Sequence, residues 1–185
     1  MVARDGTMAR ERSWNETMTR SRPRAAASAT LDALDRRLLD LLQRDASLSM
    51  RELAQRLGSS PATCQRRIAR MRESGVLQRQ VALVDRKLVG RPLTVFVSVE
   101  LEQQNAALLR QFELRMAAEP DVMACYEVSG EFDFLLIVTA ESMEHYHAFT
   151  RETFSSNHNV RNFKSTFAMN CSKFETRVPL GGDAG

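Results

Sequence analysis

The chain has 185 residues, 43% hydrophobic and 26% charged, with a formal net charge of +3. That is enough apolar material for a sizeable core, at a length where one domain gives way to two. No apolar run approaches the roughly 20 residues needed to cross a bilayer. The charged start also lacks the apolar stretch of a secretory signal, so a cytoplasmic protein with no membrane partner is expected.

Residues 1–30 carry six arginines against three acids among Ser, Ala and Thr, with Pro23 and no sustained apolar period. This composition predicts a disordered basic tail, either inert or adding non-specific affinity for DNA. Its Arg- and Ser-rich character also resembles an organelle transit peptide, against which Asp5, Glu11 and Glu16 weigh.

Helical periodicity begins at Leu31, and residues 31–75 are predicted to form a helix-turn-helix domain. Leu34, Leu38, Leu41 and Leu42 mark one face of a first helix. Met50, Leu53, Ala54 and Leu57 mark a second, which Gly58 can cap. Ser60 and Pro61 suit the N-cap and first position of a third, whose apolar residues Cys64, Ile68 and Met71 follow i, i+4, i+7 spacing and which Gly75 ends. Residues 76–91, VLQRQVALVDRKLVGR, read as a linker strand and connector.

Residues 92–178 alternate as strand (Leu93–Leu101), helix (Asn105–Ala118), strand (Val122–Ser129), strand (Phe132–Thr139), helix (Ser142–Phe154) and strand (Val160–Phe174). The order βαββαβ predicts a ferredoxin-like antiparallel sheet with both helices on one face, so the fold class is α+β. Leu108, Leu109, Phe112 and Met116 on one helix, and Met143, Tyr146, Phe149 and Phe154 on the other, are expected in the core. Phe134–Val138 is apolar on both faces although helices can cover only one, so a second copy of the sheet is expected to pack across a two-fold axis. Residues 179–185 are expected to be a disordered tail.

Charge separates the two halves. Residues 1–30, 31–75 and 76–91 are each net +3, whereas 92–178 is net −5, so phosphate contact belongs to the first half. The third helix concentrates Arg66, Arg67, Arg70 and Arg72 against Glu73 alone. Such a helix fits a major groove, and arginine can bond guanine bidentately or clamp phosphate. Thr63, Arg66 and Arg67 are the expected base readers, with Gln65 a further candidate. Arg70 is assigned to phosphate, Ala62 to a thymine methyl, and Ser60 to capping and a phosphate.

The segment LDALDRRLLDLLQRDASLSMRELAQRLGSSPATCQRRIARMRESGVLQR resembles the DNA-binding domain of the Lrp/AsnC, or feast-or-famine, transcription regulators of bacteria and archaea. The resemblance spans roughly Leu31–Leu180. It implies a winged-type helix-turn-helix domain followed by a βαββαβ (RAM/ACT-like) effector and oligomerisation domain. It further implies binding to double-stranded DNA, nucleoid association, and homodimers that assemble into octamers. The SGEFDF segment is similar to the family's amino-acid-binding Gly-x-x-Asp hairpin. By that resemblance Gly130 admits a ligand to the backbone, Asp133 pairs with its α-ammonium group, and Ser129 and Glu131 line the loop. Read alone, the same segment is an ordinary hairpin turn. SSNHN before Val160 departs from the shorter apolar-proline turn usual in relatives.

Two rival classes stand against this reading. An enzyme is not expected: His145 and His147 are two apart on a predicted helix and diverge, His158 falls in a polar loop, and no phosphate-binding loop or nucleophile elbow occurs. Cys64, Cys125 and Cys171 form no Cys-x-x-Cys pair and read as reduced structural thiols, so no metal site and no cofactor beyond a possible amino-acid effector is expected. The other rival is a metabolite-sensing module whose helices bind a protein partner.

Overall fold

A computed structural model describes residues 30–155 and 159–181. These form two compact units, one of residues 30–83 with 172–181 and the other of residues 84–155 with 159–171.

The first unit contains α1 (Ala33–Arg44), α2 (Met50–Leu57) and α3 (Pro61–Glu73). Each start is set by its cap. Asp32 and Asp35 form a reciprocal capping box on α1, Ser49 and Glu52 do the same on α2, and Ser60 caps α3 with Pro61 at its first position. Gly58 closes α2 at φ 60°, a left-handed conformation that glycine adopts without penalty. Leu38, Leu42, Leu53, Leu57, Cys64, Ile68 and Met71 form the buried core between the helices.

The end of the chain also belongs to this unit. Leu180 packs against its core. The Gln43 side chain accepts from Val178 N at 2.7 Å and donates to Val178 O at 3.2 Å. Arg36 Nη1 donates to Leu180 O, and Arg177 pairs with Asp40 at 3.5 Å. Residues 179–181 were expected to lie in a disordered tail, but they hold an apolar side chain that finds a core to join. Residues 182–185 and the basic segment 1–29 lie outside the described residues.

No strand forms in residues 76–91. Among the described residues the alternating segment has no pairing strand, and Val81, Leu83, Val84 and Leu88 are left exposed. The connector ends at Arg91, which binds Asp121 and Thr139 O.

The second unit contains β1 (Leu93–Leu101), α4 (Ala106–Ala118), β2 (Val122–Glu127), β3 (Phe134–Ala140), α5 (Met143–Thr150) and β4 (Val160–Phe167). The sheet order is β2-β3-β1-β4, and every pairing is antiparallel. Val95, Val97, Val99, Phe134, Leu136 and Val138 face a core completed by Phe112, Met116, Tyr146, Phe149 and Phe154. Several expected elements are shorter, two of them by several residues. The helix expected to reach Phe154 gives way to a π-helical turn at Arg151–Ser155, and β4 ends at Phe167, opposite Val95. Met143, expected in the core, occupies the first position of α5 and is exposed.

The register places Phe96, Leu135, Ile137, Ala124 and Tyr126 together on the face opposite the core side chains. Phe96 and Tyr126 are exposed there, and Leu135 and Ile137 are half-buried.

Candidate nucleic-acid interface and effector hairpin

The side-chain geometry of α3 follows from its buried line. With Cys64, Ile68 and Met71 inward, Ala62, Gln65, Arg66, Ala69 and Arg70 are exposed and Thr63 is half-buried. The Ser60 hydroxyl accepts from Thr63 N at 3.2 Å and donates to the Thr63 hydroxyl at 2.9 Å, which ties both to the start of the helix.

Arg67 points sideways. Its Nη1 donates to Asp32 Oδ2 at 2.6 Å and to Asp35 Oδ1 at 2.8 Å, and its side chain is only 21% exposed. Its Nε is buried without a hydrogen-bond partner. Arg70 shares the same carboxylate, with Nη2 at 2.5 Å from Asp35 Oδ2, but remains 56% exposed. Asp35 is 1% exposed, so this is a buried carboxylate neutralised by two guanidinium groups. The Asp35 backbone N–H, and next the Arg67 guanidinium, hold the Asp32 carboxyl below its usual range.

At the β2–β3 hairpin, Ser129, Gly130 and Glu131 are exposed and Asp133 is half-buried. Gly130 sits at φ 145°, which a side chain would strain, and a Cβ there meets open space. Asp133 is held three ways: its N–H donates to Val99 O, its carbonyl accepts from Val128 N, and its Oδ2 accepts from Leu101 N at 2.7 Å.

Residues 31–78 match the family model of a winged helix-turn-helix DNA-binding domain, and residues 94–178 match that of the Lrp/AsnC ligand binding domain. An uncharacterised HTH-type transcriptional regulator of Haemophilus influenzae is 45% identical over 151 residues, covering 82% of this chain and 90% of its own. The chain belongs to the Lrp/AsnC family of transcriptional regulators. An AsnC-family regulator from Agrobacterium tumefaciens superposes with a TM-score of 0.76 at 37% identity, over 81% of this chain and 97% of its own. A transcriptional regulator from Neisseria meningitidis, solved as a complex with L-Met, superposes with a TM-score of 0.77 at 29% identity, over 82% of this chain and 98% of its own.

Within this Lrp/AsnC chain, the structure brings Ala62, Gln65, Arg66 and Arg70 to one exposed surface but takes Arg67 out of it. Counting arginines on α3 missed that, because the carboxylates that claim Arg67 lie on α1. Ala69 was missed for another reason: it is uncharged, although its spacing from Ala62 and Arg66 places it on their line. Arg72 donates to Gln80 at 2.6 Å.

His145 Nε2 lies 2.8 Å from Asp121 Oδ2 and His147 is exposed, whereas His158 lies outside the described residues. Among the described residues, no three His, Cys, Asp or Glu side chains form a group that could hold a metal ion. No described helix is long and apolar enough to cross a membrane.

Proposed function

We propose that this regulator binds double-stranded DNA through the outward face of α3, and that an amino acid at the Ser129–Asp133 hairpin modulates that binding or the protein's assembly. The DNA reading is carried by one observation: α3 exposes Ala62, Gln65, Arg66 and Arg70 together, the first three within two turns of the Ser60 cap and Arg70 in the last turn. Guanidinium and carboxamide groups there suit base edges and phosphates. Ser60 and the first backbone amides of α3 suit a phosphate, and Thr63 lies beside them. Arg70, partly neutralised by Asp35, fits a phosphate better than a base.

For the effector, Asp133 Oδ1 is the atom to accept an α-ammonium group, Gly130 leaves room at the backbone, and Ser129 and Glu131 border the same turn. The L-Met complex of the Neisseria relative supports an amino acid as the ligand class. The apolar patch around Phe96 and Ile137 supports a second copy of the chain as the cover of the open sheet face. Dimers built this way are the units of an octamer under the family resemblance. A DNA-bound regulator of this kind resides in the cytoplasm with the nucleoid.

The test is fluorescence anisotropy on duplexes selected by the full chain, titrated with salt. Binding is expected to weaken steeply with salt, and Arg66→Ala is expected to reduce discrimination between selected and scrambled duplexes by relaxing base preference at one position. Binding that ignores both salt and Arg66→Ala would exclude the DNA reading.

A further inference from the structure

The arc of α3 available to a duplex is narrower than its arginine count suggests. Stepping about 100° per residue from the line Cys64, Ile68 and Met71, the most outward exposed positions within one groove's reach are Ala62, Arg66 and Ala69. Gln65 and Arg70 flank this strip. From Ala62 to Ala69 the helix rises about 10 Å, whereas Glu73 lies about 16 Å from Ala62 at the last position of α3, away from the N-terminal part that a docked recognition helix turns to base edges.

Arg67 lies nearer the buried line and is turned towards α1. To reach DNA it would have to break its bonds to Asp32 and Asp35. That would leave the Asp35 carboxylate, 1% exposed, with Arg70 as its remaining cation. Charge-assisted bonds to a buried carboxylate are among the stronger polar contacts in a protein, and breaking one side of a buried pair is costly.

Resting on the reading of α3 as the DNA-contacting helix, we propose that Arg66 is the base-reading guanidinium and that Ala62 and Ala69 are specificity-determining residues on either side of it. Arg67 is a positioning residue that sets the seat of α3 on α1 through Asp35 and does not touch DNA. The two alanines let the helix backbone approach the groove floor and present methyl groups to thymine methyls.

The test is selection of bound duplexes from a randomised pool by the full chain, followed by affinity and thermal-unfolding measurements. Arg66→Ala is expected to lose base preference at its own position, and Ala69→Gln to change preference at a neighbouring one. Arg67→Gln and Asp35→Asn are each expected to lower Tm and weaken binding about tenfold while selecting the unaltered motif. Asp35→Asn/Arg67→Gln is expected to lose less than the two single losses combined, because both remove the shared Arg67–Asp35 contact. The double variant replaces the ion pair with two amides and keeps the test informative if Arg67→Gln alone does not fold.

A motif altered by Arg67→Gln, alone or in the double variant, but unaltered by Asp35→Asn would overturn the positioning role. An unaltered motif with Ala69→Gln would overturn the strip. A native chain that enriches no motif would overturn the DNA reading itself, an outcome visible without any variant.

Discussion

The Asp133 carboxylate accepts a hydrogen bond from the Leu101 backbone N–H at 2.7 Å and so closes the β2–β3 hairpin onto the end of β1. The residue proposed to bind an effector is therefore also part of the scaffold. Asp133→Ala leaves the N–H of buried Leu101 without its acceptor and is expected to destabilise the chain by about 1–3 kcal/mol. Asp133→Asn keeps an oxygen acceptor and removes the charge. It is expected to fold normally and to lose the Tm increase that an amino-acid effector produces. Differential scanning fluorimetry against each amino acid checks this, and an undiminished shift in Asp133→Asn would remove the carboxylate from the ligand site.

The open sheet face yields a prediction about assembly. Ile137 and Phe96 pair across β3 and β1 at its centre. Ile137→Lys or Phe96→Asp places a charge where a second sheet is proposed to pack. Light scattering after size exclusion is expected to read a monomer for either variant and a dimer or larger for the native chain. An unchanged mass would move the interface elsewhere.

A further prediction concerns the end of the chain. Truncation after Arg177 removes the Val178–Gln43 pair of hydrogen bonds and the half-buried Leu180 side chain. A loss of about 1–2 kcal/mol is expected, read as a lower Tm. A native Tm in the truncated chain would show the contact to be dispensable.

The caps of α1 and α2 make the first unit acid-sensitive. Hydrogen bonds from the Asp35 backbone, and then from Arg67, hold the Asp32 carboxyl below its usual range. The Ser49 hydroxyl and backbone do the same for Glu52. A carboxyl depressed on folding stabilises the fold above its unfolded pKa of about 4, and the contribution is lost as pH falls through the depressed folded value. Stability is therefore expected to fall below about pH 4. Asp32→Asn, which keeps a capping oxygen, and Glu52→Gln are expected to flatten that fall in acid titrations followed by circular dichroism.

The cysteines should differ in reactivity. Burial first, and then the nearby Glu113 charge, push the Cys125 thiol up to about 11. Since the thiolate is the nucleophile, Cys125 stays protonated at neutral pH. The stabilisation from keeping it neutral is lost only as pH rises from the ordinary thiol range towards that value. Mass-spectrometric mapping after brief iodoacetamide treatment at mildly alkaline pH is expected to find exposed Cys171 alkylated well before Cys125. Comparable rates would place Cys125 in solvent.

What was legible in the sequence was what repeats locally. The 64, 68, 71 spacing, Gly58 and the Ser60–Pro61 pair specify α3 because helix period and capping act within a few residues. The unbroken apolar run Phe134–Val138 likewise announced a strand with two apolar faces. Tertiary structure alone decided which charged and apolar groups meet across the chain. Arg67 looks like Arg66 until a carboxylate 32 residues away claims it. Gln43 engages a backbone 135 residues downstream, and the expected linker strand fails because a strand exists only where a partner completes its hydrogen bonds. Period and capping are properties of a segment; an ion pair or a ladder is a property of two, and only the fold brings the second one near.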